Sequence, residues 1–236
     1  MIPLRDNIPS QGRPIICYAI IGLNSVVFLL ELALGNQMAQ FLTTFGFIPA
    51  RFFTLLEIHP ERHLALYLPF LTTLFLHGGW LHLIANMWTL FIFGDNVEDT
   101  LGHVRFLLFY LASGVAGTLL HAYLTPNSWA PLVGASGAIA GVMGAYFLLF
   151  RHSMVLVFIP LFIFAPFVEV PAYIFLGVWF LLQFFSGASS ILGARAAQGG
   201  GVAFWAHVGG FLAGICLIFL LSAIRLIQLD PKERSR

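Results

Sequence analysis

Ser136 stands in Gly134-Ala135-Ser136-Gly137, at the head of an apolar stretch that meets no charge until Arg151. Far downstream, His207 stands in a second apolar stretch, Trp205-Ala206-His207-Val208-Gly209-Gly210. An alcohol becomes a useful nucleophile when a base takes its proton, and histidine is the usual base near neutral pH. Polar ionisable groups inside a bilayer are costly and mark functional cavities. If the two side chains meet, the chain carries a nucleophile and its base inside the membrane, which is the chemistry of a serine hydrolase.

The flanking residues fit that chemistry. Gly134 and Gly137 permit close backbone approach around the serine. The first N–H groups of a helix have no intrahelical partners, so those near Ser136 can face a developing oxyanion. His82 and Asn86 are four residues apart on one helical face, and both can donate hydrogen bonds to the same oxyanion. His77 lies at the boundary between that helix and the loop before it, where it can orient its neighbours. No Asp or Glu falls at the depth of His207, because Glu169 begins a helix from the opposite side. The expectation is a Ser136–His207 dyad without an acidic third member.

Composition determines where this happens. Of 236 residues, 59% are hydrophobic and 9% charged, with mean hydropathy +0.92. Soluble domains carry about 25% charged residues, so a polytopic membrane protein in contact with the lipid bilayer is expected. The net charge of +1 and the absence of a basic run give no sign of a nucleic-acid partner. Cys17 and Cys216 are too few for a disulfide scaffold or a zinc site. No cofactor or metal is expected. His59 and His63 have ligand-like spacing, but Pro60 disfavours a helix interior between them.

Spans of roughly 20 apolar residues are needed for each crossing. The candidates are Ile15–Leu34, Leu81–Phe93 with some preceding residues, Phe106–Leu124, Ser136–Phe150, Pro171–Phe185 and Val202–Leu221. The first is read as a retained helix, not a cleaved leader. Met154–Val168 is also apolar, but Pro160 and Pro166 interrupt it, and it reads as a membrane-hugging loop. The fold class expected is an all-α membrane protein, a six-transmembrane-helix bundle. Its first outer connection, about Gly35 to Leu76, is too long for a turn and reads as a structured, partly embedded loop. Residues 1–14 form a short cytoplasmic segment, 15–225 the membrane domain, and 226–236 a charged cytoplasmic tail.

Charge orients the bundle. With N-terminus and C-terminus inside, only Arg51, Arg62 and Arg195 of the eleven Lys and Arg face out. That orientation places His82, Asn86, Ser136 and His207 in the outer half of the bilayer at comparable depth. The serine helix, 15 residues to Phe150, spans about 22 Å at 1.5 Å per residue. It is shorter than the roughly 30 Å hydrocarbon core, so the serine is expected in a recess below the outer surface. Gly137, Gly141 and Gly144 on its helix, with Gly210 and Gly214 after His207, form small-residue patterns that let two backbones approach.

Taken together, His77-Gly78-Gly79-Trp80-Leu81-His82-Leu83-Ile84-Ala85-Asn86, then Gly134-Ala135-Ser136-Gly137, then Ala206-His207-Val208-Gly209-Gly210 resemble the three signatures of rhomboid intramembrane serine proteases, in that family's order. The resemblance runs from the first helix to the last. It implies a rhomboid-like six-helix domain that cleaves peptide bonds in or near the transmembrane segments of single-pass proteins. It makes Ser136 the nucleophile and His207 the base. His82, Asn86 and the Ser136 N–H would form the oxyanion hole, with His77, Gly134 and Gly137 supporting the site. It also implies a gate made of the fifth helix, about Pro171–Phe185, and the loop Ser186–Gly201. Two departures stand out: the first loop has no Trp-Arg pair, and Ala140 occupies the position four after the nucleophile where some members place an aromatic. Tyr146 or Phe204 is then the expected support for His207. The location expected is the plasma (inner) membrane of a prokaryote. The rival function is a non-catalytic relative that binds transmembrane helices, although such relatives typically lack the serine or the histidine.

Overall fold

The computed structural model describes residues 1–159, 167–192 and 202–227. Within them the chain is mostly helical: α1 (Ile15–Ala33), α2 (Met38–Phe45), α3 (Pro49–Ile58), α4 (His63–Thr72), α5 (Trp80–Leu101), α6 (His103–Leu124), α7 (Ser136–Leu149), α8 (Ala172–Leu192) and α9 (Phe204–Ala223). Four of the described helices, α1, α6, α8 and α9, are long and apolar enough to cross a membrane. The run His63–Phe75 and α5 make a fifth candidate if counted as one span, bent by 81° at the break before Trp80. At 14 residues, α7 is shorter than a full crossing.

The helix boundaries follow local chemistry. Pro49 sits in the first turn of α3, where its missing N–H is not needed. Gly102, at φ +75°, lies between α5 and α6 and turns the chain from one into the other in a conformation other residues adopt only under strain. At the start of α1 no capping side chain lies nearby in sequence. Instead Glu98 of α5 accepts the N–H groups of Ile16 (2.9 Å) and Cys17 (2.7 Å) and meets His103 Nδ1 at 2.5 Å. A carboxylate at the positive end of a helix is favourable, and here it ties α1 to the α5–α6 turn.

At the centre is α7. Every residue from Gly137 to Tyr146 is buried, against α5, α6, α8 and α9. Its own Tyr146 and the surrounding Phe93, Phe106 and Tyr110 are among the largest fully buried side chains. Peripheral helices turn apolar residues outward, among them Leu29 and Leu30 of α1 and Leu181 and Leu182 of α8. That inversion is expected where lipid is the solvent.

The connection between α1 and α5 is structured, carrying α2, α3 and α4. Of the stretch read as a loop at Met154–Val168, the described residues are largely sheet. Strands β1 (Ile2–Asp6), β2 (Met154–Phe158) and β3 (Phe167–Pro171) pair antiparallel in the order β1-β2-β3. Along Met154–Phe158 the residues alternate half-buried and buried, with Val155 and Val157 inward, which is a strand pattern. The N-terminal segment is therefore anchored: Asp6 accepts hydrogen bonds from Tyr146 Oη (2.5 Å) and Asn96 Nδ2 (2.8 Å), and Trp88 Nε1 donates to Pro3 O at 2.7 Å. The helix expected to end near Phe93 runs on to Leu101, with Asn96, Glu98 and Asp99 satisfied by N-terminal partners. Residues 160–166, the end of the expected gate loop at 193–201, and the tail from 228 lie outside the described residues.

Candidate active site

Three separate elements hold the segment that delivers Ser136. Leu132 pairs with Phe47 in an isolated antiparallel bridge, with N–H to O distances of 2.7 and 3.2 Å in the two directions. Thr73 Oγ1 donates to Leu132 O, and the N–H of Gly134 donates to Thr73 O at 2.9 Å. The structured first connection is thus the clamp that fixes the approach to the serine. Gly134 itself has φ +129°, and a Cβ there would fall 2.7 Å from His82 Nε2. Both the torsion and the room for the His82 ring require glycine. Ser136 then opens α7, where the first backbone N–H groups are free of intrahelical partners.

His207 lies in the first turn of α9 and is buried. Its Nε2 is 2.8 Å from Ser136 Oγ. The two helices meet with almost no side chain between them: the Cα of Gly210 rests against the carbonyl of Gly137, and that of Gly214 against the carbonyl of Gly141. A methyl group at either position would overlap backbone, so the small-residue pattern is what lets serine and histidine reach hydrogen-bonding distance.

His82 and Asn86 occupy the first two turns of α5, and Asn86 is buried. The edge of the His82 ring lies against Gly134, two residues from Ser136. Asn86 Nδ2 donates to His77 Nε2 at 3.1 Å, and the His77 and His82 rings stand 5.1 Å apart at 65°. The backbone N–H of His77 in turn donates to the buried carboxylate of Glu31, at 3.2 and 3.3 Å to its two oxygens. A chain of contacts therefore runs from α1 through His77 to Asn86. Glu31, an acid near the end of an apolar span, is the member that motif reading passes over.

Two further neighbours of His207 are also missed by motif reading. Gln183 of α8 faces the other ring nitrogen, with Oε1 2.8 Å from Nδ1. Trp179 packs on the imidazole at 5.8 Å between centroids and 32° between planes. The aromatic support comes from α8, not from Tyr146, which bonds Asp6 and Ser153 elsewhere in the bundle. Phe204 lines the cavity, but the ring packed on His207 is that of Trp179. His121, which its place near a helix end marks as interfacial, lines the same cavity as the serine.

That cavity, about 1720 Å³, is lined by Ser136, His207, His82, Asn86 and His121, and continues along α5 and α8 past Phe93 and Phe175 to the N-terminal strand. No group of three or more His, Cys, Asp or Glu able to hold a metal occurs among the described residues. The arrangement offers a hydroxyl beside a base nitrogen, with amide and imidazole donors adjacent, in an apolar-walled recess.

Residues 65–224, more than half the chain, match the family model for the Rhomboid domain. The chain belongs to the rhomboid family. It is 40% identical over 87 residues to the putative rhomboid protease YdcA of Bacillus subtilis, covering 36% of this chain and 43% of that one. It is 36% identical over 137 residues to the rhomboid protease GluP of the same organism, covering 58% and 25%. With the mitochondrial RHOMBOID-like protein 6 of Arabidopsis thaliana the figures are 44% over 75 residues, 32% and 24%. The matched region thus spans less than half of each of these three relatives. Family membership and the apolar helices make this rhomboid protein a multi-pass membrane protein.

Proposed function

We propose that this rhomboid protein is an intramembrane serine endopeptidase acting through Ser136 and His207. The observation that carries the reading is the 2.8 Å contact between Ser136 Oγ and His207 Nε2 inside an apolar bundle. Two of its relatives bear the name rhomboid protease. His207 removes the hydroxyl proton as Ser136 Oγ attacks the scissile carbonyl carbon. The tetrahedral oxyanion is held by the Ser136 N–H, His82 and the Asn86 amide. His207 returns the proton to the leaving amine, and the acyl-serine ester remains. Water, deprotonated by His207, attacks that ester and restores the serine. No cofactor enters any step.

The domain is taken as a six-helix bundle over residues 15–225. The short segment 1–14 and the tail 226–236 are both assigned to the cytoplasm, in the plasma membrane of a prokaryote. The fourth crossing in chain order is α7, whose 14 residues suit a serine set below the outer surface. Substrates are single-pass proteins whose helix unwinds near the outer face, because a helical peptide bond is hydrogen-bonded and shielded from attack. The cavity lined by α5 and α8 is the space such a segment would occupy. The test is a fluorophosphonate probe on purified protein. Labelling that maps to Ser136 and disappears in His207→Ala supports the reading; a Ser136 that resists the probe while the protein is folded contradicts it.

A further inference from the structure

We propose that Gln183 is a positioning residue that fixes the ring tautomer of His207, supplying by a neutral amide the third member that the serine and histidine lack. The inference rests on the protease reading above. A neutral imidazole has one nitrogen that donates and one that accepts. Gln183 Oε1 lies 2.8 Å from His207 Nδ1, and an amide oxygen can only accept. The proton must then sit on Nδ1, which leaves the Nε2 lone pair facing Ser136 Oγ, also at 2.8 Å. That is the tautomer a general base requires. The other tautomer would aim an N–H at the serine oxygen and leave nothing to take its proton.

Trp179 and Gln183 are four residues apart on α8, so one helix face delivers both the wall that packs the ring and the acceptor that orients it. Among the described residues no carboxylate lines the cavity that holds His207, and its histidines besides His207 are His82 and His121. A charged acid at this depth would carry a large desolvation penalty. The amide sets the same tautomer with no net charge, and it stabilises the imidazolium formed during attack through its dipole alone.

The experiment compares the full chain with Gln183→Met, which keeps the length and removes the acceptor, and Gln183→Glu, which keeps an acceptor. Two quantities are read in the same detergent: the rate of fluorophosphonate labelling at Ser136, and the His207 tautomer by nitrogen-15 NMR, with the signal assigned by its loss in His207→Asn. The expected result is Nδ1–H in the wild type. Gln183→Met should label about 10-fold more slowly, the worth of roughly one hydrogen bond, and gain Nε2–H signal. Gln183→Glu should recover both readings. An Nε2–H wild type, or a Gln183→Met protein with unchanged rate and tautomer, overturns the inference while leaving the protease reading intact. The wild-type tautomer alone decides the matter if Gln183→Met does not fold. A folded wild type that the probe never labels overturns the protease reading and this inference with it.

Discussion

Gly210, one turn after His207, places its Cα directly against the carbonyl oxygen of Gly137, the residue next to Ser136, so α7 and α9 touch backbone to backbone beside the two polar side chains. The 2.8 Å approach of His207 Nε2 to Ser136 Oγ goes with this close backbone contact. Gly210→Ala is expected to separate the helices, since overpacking a tight contact costs about 1–3 kcal/mol. Thermal unfolding in detergent should show the loss, and labelling of Ser136 should fall further than stability does. Unchanged labelling in a folded Gly210→Ala protein would mean that the pair tolerates a wider spacing.

His82→Ala and Asn86→Ala remove donors from the proposed oxyanion site without touching nucleophile or base. Loss of one such donor typically lowers kcat by about 10²–10³-fold, and that is the expected result, with KM little changed. His77→Ala should have a smaller effect in the same direction, because it acts through its hydrogen bond to Asn86. Steady-state cleavage kinetics with one model substrate would rank the three.

Asp6 gives a pH signature separate from catalysis. Burial raises its pKa, while hydrogen bonds from Tyr146, from the backbone N–H of Ile8 and from Asn96 pull the other way. The folded state therefore favours the neutral acid. The resulting stabilisation is full below the ordinary pKa of the group and is lost as pH rises through the raised one. Asp6→Asn keeps an acceptor for Tyr146 and has no charge to bury. Its melting temperature relative to wild type should rise as pH increases from about 4 to 7. A difference that stays flat with pH would show that Asp6 ionises without penalty.

Much of this molecule is legible in its sequence. Ser136, His207, His82 and Asn86 stand out as polar residues in apolar helices, and the glycines that bring α7 and α9 together repeat at helical spacing. What escapes is of two kinds. Gln183 and Trp179 belong to no motif, and only the packing of α8 against α9 brings them to His207. Nothing in the sequence between Gln183 and His207, 24 positions apart, announces that meeting. The sheet escapes for a different reason: β1 is five residues long and pairs with a segment far along the chain. Such strands are stabilised by their partner, not by their own pattern. The strand pattern of Met154–Phe158 gives no sign of the distant partner it pairs with.

On the proposed mechanism, Ser136 and His207 together break a peptide bond in a membrane-embedded substrate. That step is tested most directly in liposomes, with a single-pass substrate whose helix is destabilised near the outer face. Wild type, Ser136→Ala and His207→Ala are compared after each variant has been shown to be folded. Wild type should cut, and each variant should lose activity by at least about 10³-fold, as expected when a nucleophile or its base is removed. Cleavage at the wild-type rate by either variant would contradict the account.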